Sequence, residues 1–165
     1  MSLLRNTILA TVLVLTPTAP MASAPKLAEP LRFFEGTTEG VSTVRVLMKK
    51  PYRARTIGRG RLDQKGSLIL IQSVEEEGRP TFERRWHIRR IAPGRFSGTM
   101  TQAIGPVTVT QIGERYLFRF KMKGSLSVEQ WVTPLPEGKS ARSVSTIKKL
   151  GIKVATSEGI IRKLV

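Results

Sequence analysis

Few residues in this chain have side chains suited to catalysis or to holding a metal ion. His87 is the only histidine, and the sequence contains no cysteine. Because His87 alternates with Arg85 and Arg89, a strand would place it on a charged, solvent-facing side, away from a buried carboxylate that could orient it as a base. One histidine without cysteine also leaves too few ligands for a zinc site. We therefore predict a non-enzyme with no catalytic residue, metal or cofactor.

Arg84 is the charged residue best suited to binding a ligand. It shares the even-numbered face of its strand with Phe82 and Trp86, and this face should point into the core. A buried guanidinium needs a partner, since breaking a buried ion pair costs roughly 3–5 kcal/mol. Three interpretations remain open. Arg84 either forms a structural ion pair with Glu129, which alternates with Trp131, or lies at a cavity and binds a carboxylate or phosphate in bidentate fashion. Alternatively, a bulge shifts the strand register and places Arg84 in water.

Aromatic residues accompany Arg84 on the segments that should face inward. They either line a ligand pocket or simply fill the core of the domain. The predicted interior site consists of Arg84, Trp86, Phe118, Phe120, Glu129 and Trp131.

A second predicted site is a basic surface that would bind anionic headgroups or phosphates. Residues 115–123 alternate, with aromatic residues and Met122 on one face and basic residues together with Leu117 on the other. Residues 81–91 repeat this pattern. The basic set is Arg85, Arg89, Arg115, Arg119, Lys121 and Lys123, and it could extend through Arg53, Arg55, Arg59 and Arg61. An ordinary solvated face remains the alternative interpretation.

The elements that would position these residues are short strands. Glycine and proline recur at hairpin spacing, and no segment shows a sustained helical period, so any helix is short and lies between Lys26 and Phe34. About ten sequential antiparallel strands favour a closed sheet, because closure removes exposed edges. We predict an all-β, up-and-down, lipocalin-like barrel of about 8–10 strands, with a two-sheet sandwich as the alternative. The expected strands are 41–48, 53–62, 67–75, 81–91, 95–102, 106–112, 115–123, 126–133, 141–149, 152–156 and 159–164.

The first 24 residues resemble a secretory leader. Arg5 precedes an apolar run, and Ala22-Ser23-Ala24 is the small-residue pattern that a signal peptidase reads. We expect cleavage after Ala24 and a periplasmic or otherwise exported protein, although Pro25 would follow the cut. The predicted organisation is a signal peptide (1–24), a linker (25–31) and a single β-barrel domain (32–165).

Several short motifs resemble a bacterial envelope family catalogued as domain of unknown function 3833. The segment Gly94-Arg95-Phe96-Ser97-Gly98-Thr99 after Trp86, the Glu129-Gln130-Trp131 motif and the closing segment 149–154 follow the order of that family's motifs. The resemblance spans roughly residues 31–164 and implies a small β-barrel of the cell envelope. This chain departs from the family in being basic and in lacking a lipid-attachment cysteine. The resemblance implies no activity.

The net charge of +16 indicates an anionic partner or environment. For an exported protein this partner would be a lipid or another envelope anion, and nucleic acid is not expected. Our leading hypothesis is a barrel that binds a hydrophobic or amphiphilic anion such as an envelope lipid. The alternative is a structural or adaptor protein that docks its basic face on an anionic membrane or an acidic partner. The oligomeric state is left open.

Overall fold

The computed structural model describes residues 30–164, so the predicted leader and the first part of the linker lie outside the described residues. A short helix, α1, is followed only by strands. The elements are α1 (Pro30–Phe33), β1 (Gly36–Val46), β2 (Tyr52–Leu62), β3 (Leu68–Glu76), β4 (Phe82–Ala92), β5 (Arg95–Met100), β6 (Ala103–Ile112), β7 (Arg115–Met122), β8 (Leu126–Pro134), β9 (Ser140–Lys149) and β10 (Ile152–Leu164). No helix in this part of the chain is both long and apolar enough to cross a membrane.

The ten strands form one closed antiparallel barrel in which each strand pairs with its neighbours in sequence. β1 and β10 pair from Thr37 with Leu164 to Val46 with Ala155, and this pairing closes the ring. The prediction of an up-and-down barrel is confirmed. The last strand differs from the expectation, since residues 152–164 form a single strand rather than two.

Side chains point alternately into and out of the barrel, as the period of a strand requires. Even-numbered residues face inward on β7, where Tyr116, Phe118 and Phe120 are buried. On β6, pairing with β7 places Ala103 opposite Met122 and Val109 opposite Phe118. Odd-numbered residues are therefore the inward ones on that strand, and the buried residues there are Val107 and Val109.

The two ends of the barrel differ in how they are filled. At the end where β1 begins, which we call the closed end, α1 packs into the barrel through Leu31 and Phe33. Leu31 was assigned to the linker by the sequence, but it belongs to this core. The other buried side chains that fill the closed end include Phe34, Leu68, Ile88, Phe96, Val107, Val109 and Val132.

Gly60 allows α1 to pack this closely against the wall of the barrel. A Cβ atom at Gly60 would lie 1.9 Å from the backbone oxygen of Phe34, which cannot move without displacing α1. At Gly40, another glycine of the inner wall, a Cβ atom would meet its nearest neighbour at an ordinary 3.8 Å. Close packing therefore requires glycine at position 60, whereas position 40 has room for a Cβ atom.

We expect Gly60→Ala to lower the free energy of unfolding by about 1–3 kcal/mol, the usual range for an overpacked core. Gly40→Ala is the matched control and should leave stability unchanged or raise it by about 0.4–1 kcal/mol, because alanine restricts the unfolded chain. Urea unfolding of both variants measures the difference. Equal stability of the two variants would contradict the packing described for α1.

Candidate functional site

A cavity of about 340 Å³ occupies the half of the barrel opposite α1. Its lining reaches the strand ends at Val46, Tyr52, Met122, Ile147 and Ala155, so it opens at the end that we call the mouth. This volume is near the lower limit of ligand pockets in proteins, about 300 Å³. The cavity can therefore hold a small molecule or part of a larger one.

Small side chains on one wall leave this space open. The inner residues of β1, β9 and β10 include Ser42, Ser143, Ser145, Ser157 and Gly159, all of which line the cavity. A barrel of ten strands is wider than one of eight, whose interior side chains can just fill. Since the small residues do not reach across this interior, a cavity remains between them and the aromatic wall opposite.

Trp86 and Phe120 form that aromatic wall and are held in place by their neighbours. The two rings meet edge to face with centroids 5.7 Å apart, and Phe118 packs against Trp86 in the same way at 6.5 Å. The indole Nε1 of Trp86 donates a hydrogen bond to Oε1 of Gln72 at 2.6 Å. Trp86 is thus fixed by both packing and a hydrogen bond, and its ring forms a rigid surface of the cavity.

Arg84 brings a positive charge into the cavity lining. Its Nε donates to Oε1 of Gln102 at 3.2 Å, and its guanidinium carbon lies 5.6 Å from the ring centre of Phe82. Burial lowers the pKa of the Arg84 guanidinium, and the negative charge of Glu76 acts in the opposite direction. The group nevertheless stays protonated at neutral pH, as arginine does in proteins.

None of the ion pairs found in residues 30–164 includes Arg84. Glu76, the carboxylate whose charge acts on Arg84, binds Arg79 instead, with Arg79 Nη1 and Glu76 Oε2 2.7 Å apart. Within the same residues, the two Nη groups of Arg84 have no hydrogen-bond partner. These groups are therefore available to bind two oxygens of an anion in parallel.

Tyr52 adds a hydroxyl beside the mouth of the cavity. Burial raises the pKa of the Tyr52 phenol, and the Glu76 carboxylate adds to this effect. The phenol therefore remains a neutral hydrogen-bond donor at physiological pH.

The predicted pairing of Arg84 with Glu129 is wrong. Glu129 lies on the outer face of β8, where its carboxylate binds Arg119 at 3.1 Å and Lys148 at 3.5 Å. Hydrogen bonding by Arg119 is the main cause of the lowered pKa of Glu129. On β8 it is Val128, rather than Glu129, that is buried inside the barrel.

Trp131 was also predicted inside and lies on the outer face. The guanidinium of Arg115 stacks over the Trp131 ring, 4.5 Å from its centre. Leu117 pairs with Trp131 in register and is buried on this same outer side. Of the six predicted interior residues, Arg84, Trp86 and Phe120 line the cavity, while Phe118 packs in the core behind Trp86.

The basic side chains of the outer wall do not form one continuous patch. Arg89 and Arg119 share a row across the sheet, but two strands lie between them. Three strand spacings separate the two residues by about 14 Å. Arg85 pairs with Glu83 at 2.5 Å, which further breaks the positive surface. Lys121 and Lys123 are exposed near the mouth.

His87 is exposed on the outer face of β4, as the alternation with arginine predicted. In the part of the chain that the structure describes, no group of three or more histidine, cysteine or acidic side chains is placed to hold a metal ion.

Sequence reasoning missed the glutamines that shape the site. Gln72 and Gln130 point inward between apolar residues, and Gln130 donates to the Ser143 hydroxyl at 2.8 Å. Gln102 orients Arg84 while donating its own amide to the backbone oxygen of Glu83. An isolated glutamine at an inward position of an apolar strand is the signal that would have marked this polar interior.

Comparison with known proteins finds similarity in the fold. No family model and no curated protein matches the sequence. Among solved structures, the S-type phycobiliprotein lyase of Guillardia theta superposes with a TM-score of 0.65 at 7% identity, covering 82% of this chain and 90% of the lyase. A protein of unknown function from the DUF3598 family of Nostoc punctiforme superposes with a TM-score of 0.62 at 14% identity. The match covers 89% of this chain and 53% of the Nostoc protein. These similarities establish the lipocalin-like barrel.

Replacing Arg84 with methionine should leave the free energy of unfolding unchanged or raise it by about 1–2 kcal/mol, because a desolvated charge without an ion pair is replaced by an apolar side chain. Urea unfolding tests this expectation. Arg119→Met is the comparison on the outer wall and should cost about 0.2–1 kcal/mol through its exposed ion pair. A loss of several kcal/mol for Arg84→Met would show that Arg84 is required for folding.

Proposed function

We propose that this protein binds a small amphiphilic anion in the cavity of its barrel, with the acidic group of the ligand on Arg84. The observation that carries this proposal is the half-buried guanidinium of Arg84, which faces the cavity without an ion pair in residues 30–164. An anion that reaches Arg84 would supply the missing opposite charge. Hydrogen bonds between charged partners contribute about 1.5–3 kcal/mol, enough to give the site a clear preference for anions.

The composition of the lining supports an amphiphile rather than a purely apolar ligand. Trp86 and Phe120 offer an apolar surface for a hydrocarbon portion. Hydroxyl and amide groups face them across the cavity and can bind ester, hydroxyl or phosphate oxygens. These polar lining residues are Thr38, Ser42, Thr56, Gln72, Gln130, Ser143, Ser145 and Ser157.

We propose binding rather than catalysis as the function of this cavity. Its ionisable groups in the described chain are Tyr52, Glu76 and Arg84, and the carboxylate among them is held by Arg79. One structural neighbour is a lyase, so the fold itself is compatible with an enzyme. The preference for binding rests on the absence of a poised acid–base pair among these three groups.

Docking through the basic outer wall is the alternative function, and the geometry favours it less. Arg119 is neutralised by Glu129, and Arg115 is engaged with the ring of Trp131. A headgroup on this wall would have to displace these contacts. The cavity arginine has no such competitor among the described ion pairs.

Trp86 can report ligand binding directly if the other tryptophan is removed by Trp131→Phe. We expect the Trp86 fluorescence of this variant to change on addition of dodecanoate or dodecyl phosphate. Adding Arg84→Met should weaken the binding of both anions by about 10- to 100-fold, the equivalent of 1.5–3 kcal/mol. Dodecanol and dodecyltrimethylammonium should bind weakly to both proteins.

Arg119→Gln in the same background is the matched control and should bind dodecanoate as tightly as its parent. Equal affinity for dodecanoate and dodecanol, unaffected by Arg84→Met, would contradict an anion site on Arg84. Failure of all four probes to change the Trp86 fluorescence would contradict a binding cavity for amphiphiles of this size.

We further propose that the protein acts in the cell envelope after export. The apolar run of the leader and its Ala22-Ser23-Ala24 pattern support this, as does the resemblance to the envelope family of unknown function 3833. An envelope location would bring the barrel into contact with anionic lipids, the class of ligand proposed for the cavity.

Export can be tested with alkaline phosphatase, which is active only outside the bacterial cytoplasm, fused to the carboxyl end of the chain. We expect the fusion protein to be active. We also expect the exported protein without the fusion to have the mass of residues 25–165. Leu13→Arg within the apolar run should abolish phosphatase activity while leaving the amount of fusion protein similar. An inactive wild-type fusion would contradict export.

A further inference from the structure

Three hairpin turns meet side by side at the mouth of the barrel. They connect β1 to β2 (47–51), β7 to β8 (123–125) and β9 to β10 (150–151), and we call them the mouth turns. The amide of Leu47 donates to the Val154 carbonyl at 2.9 Å, which joins the first turn to the start of β10. The amide of Leu150 donates to the Ser125 carbonyl at 3.4 Å, which joins the other two turns. The three turns therefore form one continuous surface beside the cavity opening.

Large aliphatic side chains project from this surface into solvent. Met48 is 97% exposed, Leu150 79%, Ile152 69% and Leu47 64%, and these four are the most exposed large apolar residues in the described chain. Single exposed apolar residues are ordinary on a protein surface. Four of them on two adjoining turns and the first residue of β10 form a cluster, which is typical of an interaction site.

Two of these side chains lie at backbone positions that ordinarily exclude them. Met48 has φ of 61° and Leu150 has φ of 49°, in the left-handed region where asparagine and glycine are favoured. Leu150 is followed by Gly151 with φ of 85°, so the pair forms a two-residue hairpin turn in which Asn-Gly is the preferred sequence. Local turn chemistry therefore does not explain why leucine stands at this tip.

Lysines surround the aliphatic tips. Lys49, Lys50, Lys123, Lys149 and Lys153 are all exposed, and none takes part in an ion pair found within residues 30–164. The segments 47–51, 123–126 and 148–153 contain no acidic residue. The mouth turns and the strand ends beside them thus combine projecting aliphatic groups with unpaired positive charge.

We propose that the mouth turns dock on the surface of an anionic lipid bilayer. The aliphatic tips would enter the boundary between headgroups and acyl chains, while the lysines bind the acidic headgroups. A bilayer fits this surface better than a folded partner, because convex tips penetrate a deformable interface, whereas a protein would need matching pockets for each of them. None of the tips or lysines lines the cavity, so docking and ligand binding are separate properties.

Flotation of the purified protein with vesicles tests the proposal. Wild type should bind vesicles of phosphatidylcholine and phosphatidylglycerol, and bind vesicles of phosphatidylcholine alone much less. The double variant Met48→Asn and Leu150→Asn should lose about tenfold or more in partitioning to the anionic vesicles, since two aliphatic anchors are removed. The double variant Lys49→Glu and Lys149→Glu should lose a similar factor and its dependence on salt.

The asparagine variants distinguish docking from misfolding. Asparagine suits a left-handed turn position better than leucine or methionine, so the thermal unfolding midpoint of Met48→Asn, Leu150→Asn should hold or rise while vesicle binding falls. Ile91→Asn changes an exposed apolar residue at the closed end and should bind vesicles like wild type. All variants share residues 1–29, so differences between them report on the mouth turns.

Three results would overturn the proposal. The first is wild-type protein that binds neither kind of vesicle, and the second is a double asparagine variant that binds anionic vesicles as well as wild type. The third is a wild-type dimer in sedimentation velocity that the asparagine variant converts to a monomer, which would assign the turns to a second copy of this chain. Arg84→Met should bind vesicles normally, so a failed ligand assay and a failed flotation assay remain distinguishable.

Discussion

The pairing of β1 with β10 closes the sheet and determines what its interior must contain. Ten residue pairs join these strands, from Thr37 with Leu164 to Val46 with Ala155. Closure satisfies the edges, but a ten-stranded ring encloses more space than the side chains of an eight-stranded one can fill. At the closed end, α1 and large apolar residues occupy this space. At the mouth, the small serines and glycines of β1, β9 and β10 leave this space unfilled, and a cavity remains there.

The charged groups of the barrel differ in their pairing between the outer wall and the interior. On the outer wall, carboxylates such as Glu83 and Glu129 lie beside arginines, where water already screens both partners. Inside, Arg84 has lost much of its hydration without gaining an ion pair in the described chain. Gln102 fixes its orientation but carries no charge. An interior cation held in this way lowers the stability of the folded protein, and binding of an anion would restore it.

Much of the fold could be predicted from the sequence, because strand alternation and glycine spacing act locally. The same alternation placed Trp86 and Phe120 inside correctly. It failed on β8, where Trp131 is the largest apolar residue but stacks under Arg115 outside, while Gln130 points inward. The apolar character of Trp131 therefore led to the wrong prediction of which face of β8 points inward. Whether the interior holds a cavity or is filled stayed open, since this depends on which small residues face each other across the closed ring.

The mouth is where the two proposed properties of the protein meet. Arg84 is the third residue of β4 and lies near this end, so an anion bound there would remain close to the opening. The unpaired lysines of the mouth turns add positive potential around the same opening and would raise the local concentration of anions. Trp86 and Phe120 lie deeper, on the side of the closed core. This order, with charge at the opening and aromatic surface below it, favours a ligand whose acidic group stays at the mouth while its apolar part extends toward the aromatic wall.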